Sequence, residues 1–333
     1  MKVDIRQPTR ASHNPLRIGI SPCLLGDAVR YDGGHKRLPL AVETLQPYVE
    51  YQPICPEMAI GLPSPRPTLG LYQQPDFSTI LRFNHGDEQN IHHKISQFCQ
   101  QTIPKLRALC GYIVCGKSPS CGLANAKLLD NESHDFIALT DGVFTAQLRQ
   151  HYPWMPIEDH LHLADTDVQT HFMIRIVALY RLNQLALQPL TRRALLTFHS
   201  RYKYLLLAHS QPLYRQLGPF VAQIEKWQDL TAFWCEYRGR FMQLLAQPAT
   251  CENHTNALMH IQGYFNRQLP ATEKQQLTEV ILAYRQGKTS LREPIDYLKA
   301  CLARFPDDYI ADQYYLLDYP DPLLKGRDGV YKE

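Results

Sequence analysis

In the first half of the chain, apolar positions fall in short unbroken runs: residues 16–23 (LRIGISPC), 49–55 (VEYQPIC) and 111–115 (GYIVC). Runs of this length, bounded by Gly, Pro and Ser, predict buried strands. Between them, residues 38–45 and 91–109 repeat apolar side chains at helical spacing. Strand–helix alternation predicts an α/β domain, with a Rossmann-like parallel sheet and helices on both faces. The strands run into the loops SPCLLG, CPEMAIGLPSPRP and CGKSPSCG. Ligands of open α/β sheets lie beyond the carboxyl ends of the strands, so the three loops are expected to converge on one site.

From about residue 170 the period changes. Helical patterns follow one another over residues 170–188, 190–209, 211–246, 251–268, 271–286 and 291–304, with Pro189, Pro212, Pro270 and Pro294 as starts or breaks. An all-α bundle is expected there. The domain division is therefore 15–165 and 170–320, with residues 151–169 closing the first domain and 321–333 an irregular tail.

Composition narrows the class. The 333 residues are 44% hydrophobic and 20% charged. No run approaches the roughly 18 apolar residues of a membrane span, and the first fifteen residues lack the apolar core of a secretory signal. The expected compartment is the cytoplasm, where disulfides are rare, so the nine cysteines need another explanation. Net charge is only +3, but it is unevenly spread. Residues 168–224 carry Arg175, Arg181, Arg192, Arg193, Arg201, Lys203 and Arg215 and not one carboxylate across 57 positions. A solvated helical face normally mixes signs.

Three cysteines sit singly in the strand-end loops: Ser21-Pro22-Cys23-Leu24-Leu25-Gly26, Cys55-Pro56-Glu57 and Ser118-Pro119-Ser120-Cys121-Gly122. Thiolates favour zinc or iron–sulfur clusters. No CxxC pair is present among them, which argues against a structural zinc ribbon. Three thiolates from separate loops suit a cluster with one iron left open. Spacing alone leaves a second reading equally open, in which they are reduced buried cysteines.

SPCLLG with RYDGGHK, CPE with GLPSPRP, KSPSCG, and Asp141-Gly142-Val143-Phe144 resemble, in order, the signature motifs of the thiouracil desulfidase (TudS) family. FHSRYKYLLLAHS (198–210), Asn256 with HIQGYF (260–265), and Tyr319-Pro320 resemble the helical domain fused to that fold in the tRNA 4-thiouridine desulfidases (RudS). The resemblance implies that Cys23, Cys55 and Cys121 bind a 4Fe–4S cluster and that Glu57 and Ser118 are catalytic. It implies conversion of a thiolated uridine, 4-thiouridine in tRNA, to uridine with release of hydrogen sulfide. Chemistry agrees: replacing thiocarbonyl sulfur by water oxygen needs a thiophilic Lewis acid and a base, with no net redox change. Free thiouracil or its nucleosides are the alternative substrates. A non-catalytic iron–sulfur RNA-binding or sensor protein is an alternative of another class.

Other residues carry two readings each. Arg66 is expected to contact phosphate or to form an internal ion pair. Tyr31-Asp32-Gly33-Gly34 either covers the crevice or is turn chemistry. Lys117 offsets cluster charge or is solvated, and Ser120 shapes its turn. Cys115 is core or a transient sulfur carrier. Cys99, Cys110, Cys235, Cys251 and Cys301 are expected to pack, as are His199, His209 and His260. Arg192, Arg193, Arg201 and Lys203, interleaved with Tyr202, Tyr204 and Tyr214, are the candidate contacts to a tRNA carrying thiolated uridine. No membrane or protein partner is inferred, and a monomer is expected.

Overall fold

A computed structural model describes residues 15–85 and 91–318; Tyr319-Pro320 and the tail lie outside them. The chain divides into two compact units, residues 1–172 and 173–333.

The first unit holds two four-stranded sheets. In one, β1 (Arg17–Ile20), β2 (Glu50–Pro53), β5 (Gly111–Val114) and β8 (Ile157–Asp159) run parallel in the order β2-β1-β5-β8. The fully buried β5 and nearly buried β1 are central, whereas the largely exposed β2 forms an edge. Strands covered on both faces read as continuous apolar runs, which is why β1 and β5 were visible in the sequence. The neighbouring strands approach closely at Gly19, where any Cβ would run into the Tyr112 ring. Tyr112 packs on Phe144 and donates its hydroxyl to the Ile54 carbonyl, 3.4 Å away.

The second sheet was not anticipated. It is mixed: β3 (Leu69–Gln73), β4 (Thr79–Phe83), β6 (Ala126–Asp130) and β7 (Phe136–Thr140), in the order β4-β3-β6-β7. Two hairpins build it. In the first turn Asp76 Oδ1 accepts from the Ser78 amide at 2.9 Å, and in the second Asp130 Oδ1 accepts from Glu132 and Ser133. Phe77 and His134 take left-handed backbone conformations, which hid both turns from a search for glycine. Helices α1 (Pro56–Ala59), α2 (Ile91–Thr102) and α3 (Val143–His151) flank the sheets, and Ile91, Ile95 and Cys99 of α2 join the core. Residues 40–45, read as α-helical, form one wide π-helical turn.

The boundary between the units falls within α4 (Thr166–Leu185). The second unit is helical: α5 (Arg192–Arg201), α6 (Lys203–His209), α7 (Gln211–Ala222), α8 (Leu230–Leu245), α9 (Cys251–Gln262), α10 (Ala271–Arg285), α11 (Arg292–Arg304), α12 (Asp308–Ala311) and α13 (Tyr314–Asp318). Two expected helices are in fact broken. Residues 190–209 divide at Tyr202, whose buried ring packs on Phe198, Phe241 and Tyr314. Residues 211–246 divide where Asp229 caps α8 by accepting from the Thr231 amide at 2.8 Å. Pro219, by contrast, lies inside α7.

Candidate active site

The carboxyl ends of β1, β2 and β5 deliver Cys23, Cys55 and Cys121 to one cavity of about 360 Å³, lined also by Glu57, Arg66, Cys115, Lys117 and Ser118. Each loop is held by its own bonds. After β1, Cys23 lies in a short 3-10 turn, and its carbonyl accepts from the Lys36 amide at 2.8 Å, folding the RYDGGHK segment back over the loop. After β2, Cys55 precedes α1, with Pro56 in the first turn and Glu57 beside it.

The loop after β5 is clamped by the Asp141-Gly142-Val143-Phe144 motif. The amides at the start of α3, which have no partner within the helix, donate to loop carbonyls: Val143 to Pro119 (3.1 Å) and Phe144 to Ser120 (2.9 Å). Thr145 Oγ1 donates to the Cys121 carbonyl at 2.7 Å, and Asp141 Oδ1 accepts from the Ala124 amide at 2.7 Å. This approach needs glycine, because a Cβ on Gly142 would meet the Ser120 and Cys121 backbone at 2.5 Å. The motif thus positions a cysteine 20 residues upstream of its first member.

Glu57 and Arg66 form an ion pair with side chains only 12% and 3% exposed. Arg66 Nε and Nη2 both donate to Glu57 Oε2, while Nη1 donates to the Pro63 carbonyl (3.0 Å) and Nη2 to that of Val29 (3.0 Å). Of its two readings, Arg66 therefore takes the internal ion pair, and its donors are committed. Both contacts fall on one carboxylate oxygen, which leaves Glu57 Oε1 without a hydrogen-bond partner among the described residues. Ser118 Oγ accepts from the amides of Ser120 (3.2 Å) and Cys121 (3.1 Å), so its own proton remains available to the cavity. Ser118 thereby shapes the turn, a role expected of Ser120; the Ser120 hydroxyl is buried without a partner among the described residues.

Tyr31 lines the cavity and is 44% exposed, while Asp32 Oδ1 accepts from the Gly34 amide at 3.0 Å. Both readings of that segment hold. Cys115 is buried, but it lines the cavity rather than packing in the core. The Cys23 thiol donates to it, Arg30 Nη1 lies 3.7 Å from its sulfur, and Ser21 Oγ accepts from its amide at 3.1 Å.

The hydrogen bond from Cys23, helped by the charges of Lys36 and Arg30, pulls the Cys115 thiol down to about 7. The same bond and burial hold Cys23 up, while burial raises Cys55 and, strongly, Cys121. Thiols in such surroundings ionise when a positive group arrives to bind them. Lys36, Arg30 and Lys117 surround His160 as well, and together with burial they depress its imidazole.

The candidate RNA contacts in the helical unit do not form one surface of free charge. Arg192 pairs with Glu225 (3.2 Å) and donates to the Trp227 carbonyl (2.9 Å). Arg201 donates to the Asp312 carbonyl (3.1 Å), lies 4.0 Å from the Asp312 carboxylate and covers the Tyr314 ring. Arg193 is exposed, and Lys203 lies over tyrosine rings. His199 and His209 are hydrogen-bonded, to Tyr237 and the Gln247 carbonyl. His260, Cys235 and Cys251 are exposed rather than packed in the core, Cys251 at the start of α9 with its thiol 3.6 Å from the Tyr284 carbonyl of α10.

A 2-thiouracil desulfurase family model matches residues 18–160, and a model of a protein family of unknown function, DUF1722, matches residues 203–320. The uncharacterized protein YbgA of Escherichia coli K12 is 46% identical over 158 residues, covering 47% of this chain and 94% of YbgA. Among solved structures, the [4Fe-4S]-dependent thiouracil desulfidase TudS aligns at 25% identity and a TM-score of 0.35, over 45% of this chain and 93% of TudS. The chain belongs to the family of YbgA, and its residues 18–160 are a 2-thiouracil desulfurase domain preceding a DUF1722 region.

Proposed function

We propose that this protein is a desulfidase that converts thiolated uridine, 4-thiouridine of tRNA, to uridine and hydrogen sulfide with the help of a 4Fe–4S cluster. The observation that carries the reading is the convergence of Cys23, Cys55, Cys121, Glu57 and Ser118 on one cavity of a 2-thiouracil desulfurase domain. Their donor chemistry fits the cluster. Four soft thiols line the cavity, Cys115 beside the three expected ligands, and thiolates are the donors an iron–sulfur cluster takes. Arg30, Lys36 and Lys117 line the same cavity, where Lys36 and Arg30 favour the Cys115 thiolate.

When bound, a cluster held by three thiolates supplies a thiophilic Lewis acid at its open iron for the substrate sulfur. The chain supplies the rest. Arg66 pins Glu57 by Oε2, so Oε1 is held to take a proton from the water that attacks the thiocarbonyl carbon and to return it to the ring or the departing sulfur. Ser118, whose oxygen is occupied by two amides, donates its proton to that water or to the developing anion. The apolar walls formed by buried Ile54 and Pro22 and half-buried Leu69 limit the water that reaches the site.

The test is anaerobic reconstitution with iron and sulfide, incubation with thiolated tRNA, and nucleoside analysis of the digest. Loss of 4-thiouridine with matching gain of uridine and hydrosulfide is expected. Turnover of free thiouracil but not of tRNA would replace the substrate. Tight RNA binding without any turnover would replace the enzyme by a sensor. Among the described residues no helix is long and apolar enough to cross a membrane.

A further inference from the structure

Four tyrosines from four separate elements of the helical unit meet on one face: Tyr204 of α6, Tyr214 of α7, Tyr264 in the 3-10 turn after α9, and Tyr309 of α12. The Tyr204 hydroxyl donates to Tyr264. The Tyr264 and Tyr309 rings stack at 5.8 Å and 26°; Tyr214 is close enough to Tyr204 to disfavour its ionisation, and Tyr309 does the same to Tyr214. The cluster reaches solvent: Tyr264 is 38% exposed, and Tyr214 and Tyr309 are half-buried. Lys203 Nζ sits 5.1 Å from the Tyr204 ring centroid and 5.9 Å from that of Tyr309.

Charge separates this face from its neighbours. Arg192 and Arg201 are offset by Glu225 and Asp312, but Lys203 has no carboxylate partner among the described residues. Asp307, whose charge acts on Tyr309, is occupied in capping α12 by accepting from the Ile310 amide at 2.9 Å. An ammonium held over half-exposed rings with no counter-ion complements a ligand that is both planar and anionic. Tyrosine faces stack on bases of any sequence, and a lysine alongside takes the phosphate as a point charge.

We propose that Tyr264, Tyr309 and Lys203 form a stacking site for an unpaired RNA nucleobase and its phosphate. The site lies wholly within the helical unit and involves none of the cavity cysteines. It deepens the proposal that this unit grips RNA, and rests on it. Only single-stranded bases present a free face, so the site reads loops or ends of a folded RNA rather than its paired stems.

The experiment uses the full-length protein and two RNAs, an unstructured single-stranded oligonucleotide containing 2-aminopurine and a fully paired blunt-ended duplex. Fluorescence reports stacking, and anisotropy reports affinity. With wild type, 2-aminopurine emission should change on binding, with the single strand favoured over the duplex. Tyr264→Ala and Tyr309→Ala should each weaken single-strand binding by about tenfold, the scale of one lost base stack, and leave duplex binding unchanged. Tyr264→Phe, which keeps the ring, should retain most of the affinity, and Lys203→Gln should weaken binding mainly at low salt. Tyr264 is exposed, so its variants should fold, as circular dichroism would verify. Wild-type single-strand affinity in both alanine variants would overturn the stacking site while leaving RNA binding by this unit intact. Failure of the wild-type protein to bind either RNA would overturn both.

Discussion

In the N-terminal unit, Cys23, Cys55 and Cys121 lie 32 and 66 positions apart in the chain, yet they line one cavity. In the helical unit, seven cations fall within 57 positions without an acid between them, yet the fold parts them and gives Arg192 and Arg201 partners from distant helices. The difference follows from architecture. A parallel sheet delivers every strand end to the same edge, so residues far apart converge. Successive helical positions turn by about 100° each, so neighbours in sequence face different ways. Sequence clustering is therefore a poor guide to a surface on helices, and sequence separation is no obstacle to a site on a sheet.

The sharpest way to break this comparison is at the cysteines. Cys23→Ala, Cys55→Ala and Cys121→Ala should each lose the cluster, read as iron content and visible absorption after anaerobic reconstitution. Cys99→Ala, Cys235→Ala and Cys301→Ala should keep it. Full iron occupancy in Cys121→Ala would mean that the three loops converge for another purpose.

Chemistry comes next. Glu57→Gln should retain iron and lose turnover by roughly a hundredfold, the usual effect of removing a general acid–base group. Loss of iron instead would make Glu57 and Arg66 a structural support of the cavity.

Salt sharpens the helical side. Affinity for tRNA should fall as salt rises, and Arg193→Gln and Lys203→Gln should each reduce the log–log slope by about one. Arg192→Gln and Arg201→Gln, whose charges are already offset, should change it less. Equal effects from all four would show that the ion pairs open on binding.

The smallest expected effect is on stability. Burial lowers His199 and His254 to about 4, well below the ordinary histidine value. Unfolding lets both take up protons, so their neutral burial costs stability as pH falls from about 6.5 towards 4 and nothing above that window. The urea midpoint of the helical unit should drop between pH 7 and pH 5. His199→Asn with His254→Asn should flatten that dependence, and an unchanged slope would place the acid sensitivity elsewhere.

Several features were legible without coordinates because local chemistry dictates them. The buried strands β1 and β5 of the parallel sheet announce themselves as apolar runs, and the helices from 251 to 304 by period and prolines. Cys23, Cys55 and Cys121 stand out through the motifs around them, since their spacing alone leaves reduced buried cysteines equally open. Tertiary structure decided the remainder. The mixed sheet depends on turns whose left-handed residues, Phe77 and His134, are not the usual turn formers. Arg66 became the partner of Glu57, and Ser118 the hinge of the Cys121 loop, through contacts no spacing encodes. The role of Asp141-Gly142-Val143-Phe144 as a clamp on that loop emerged only when the start of α3 met the loop carbonyls. The helical unit shows the limit most plainly. Its basic stretch was written in the sequence, but which charges are spent on Glu225 and Asp312 and which remain available was settled by helix packing, since an ion pair depends on distance in space.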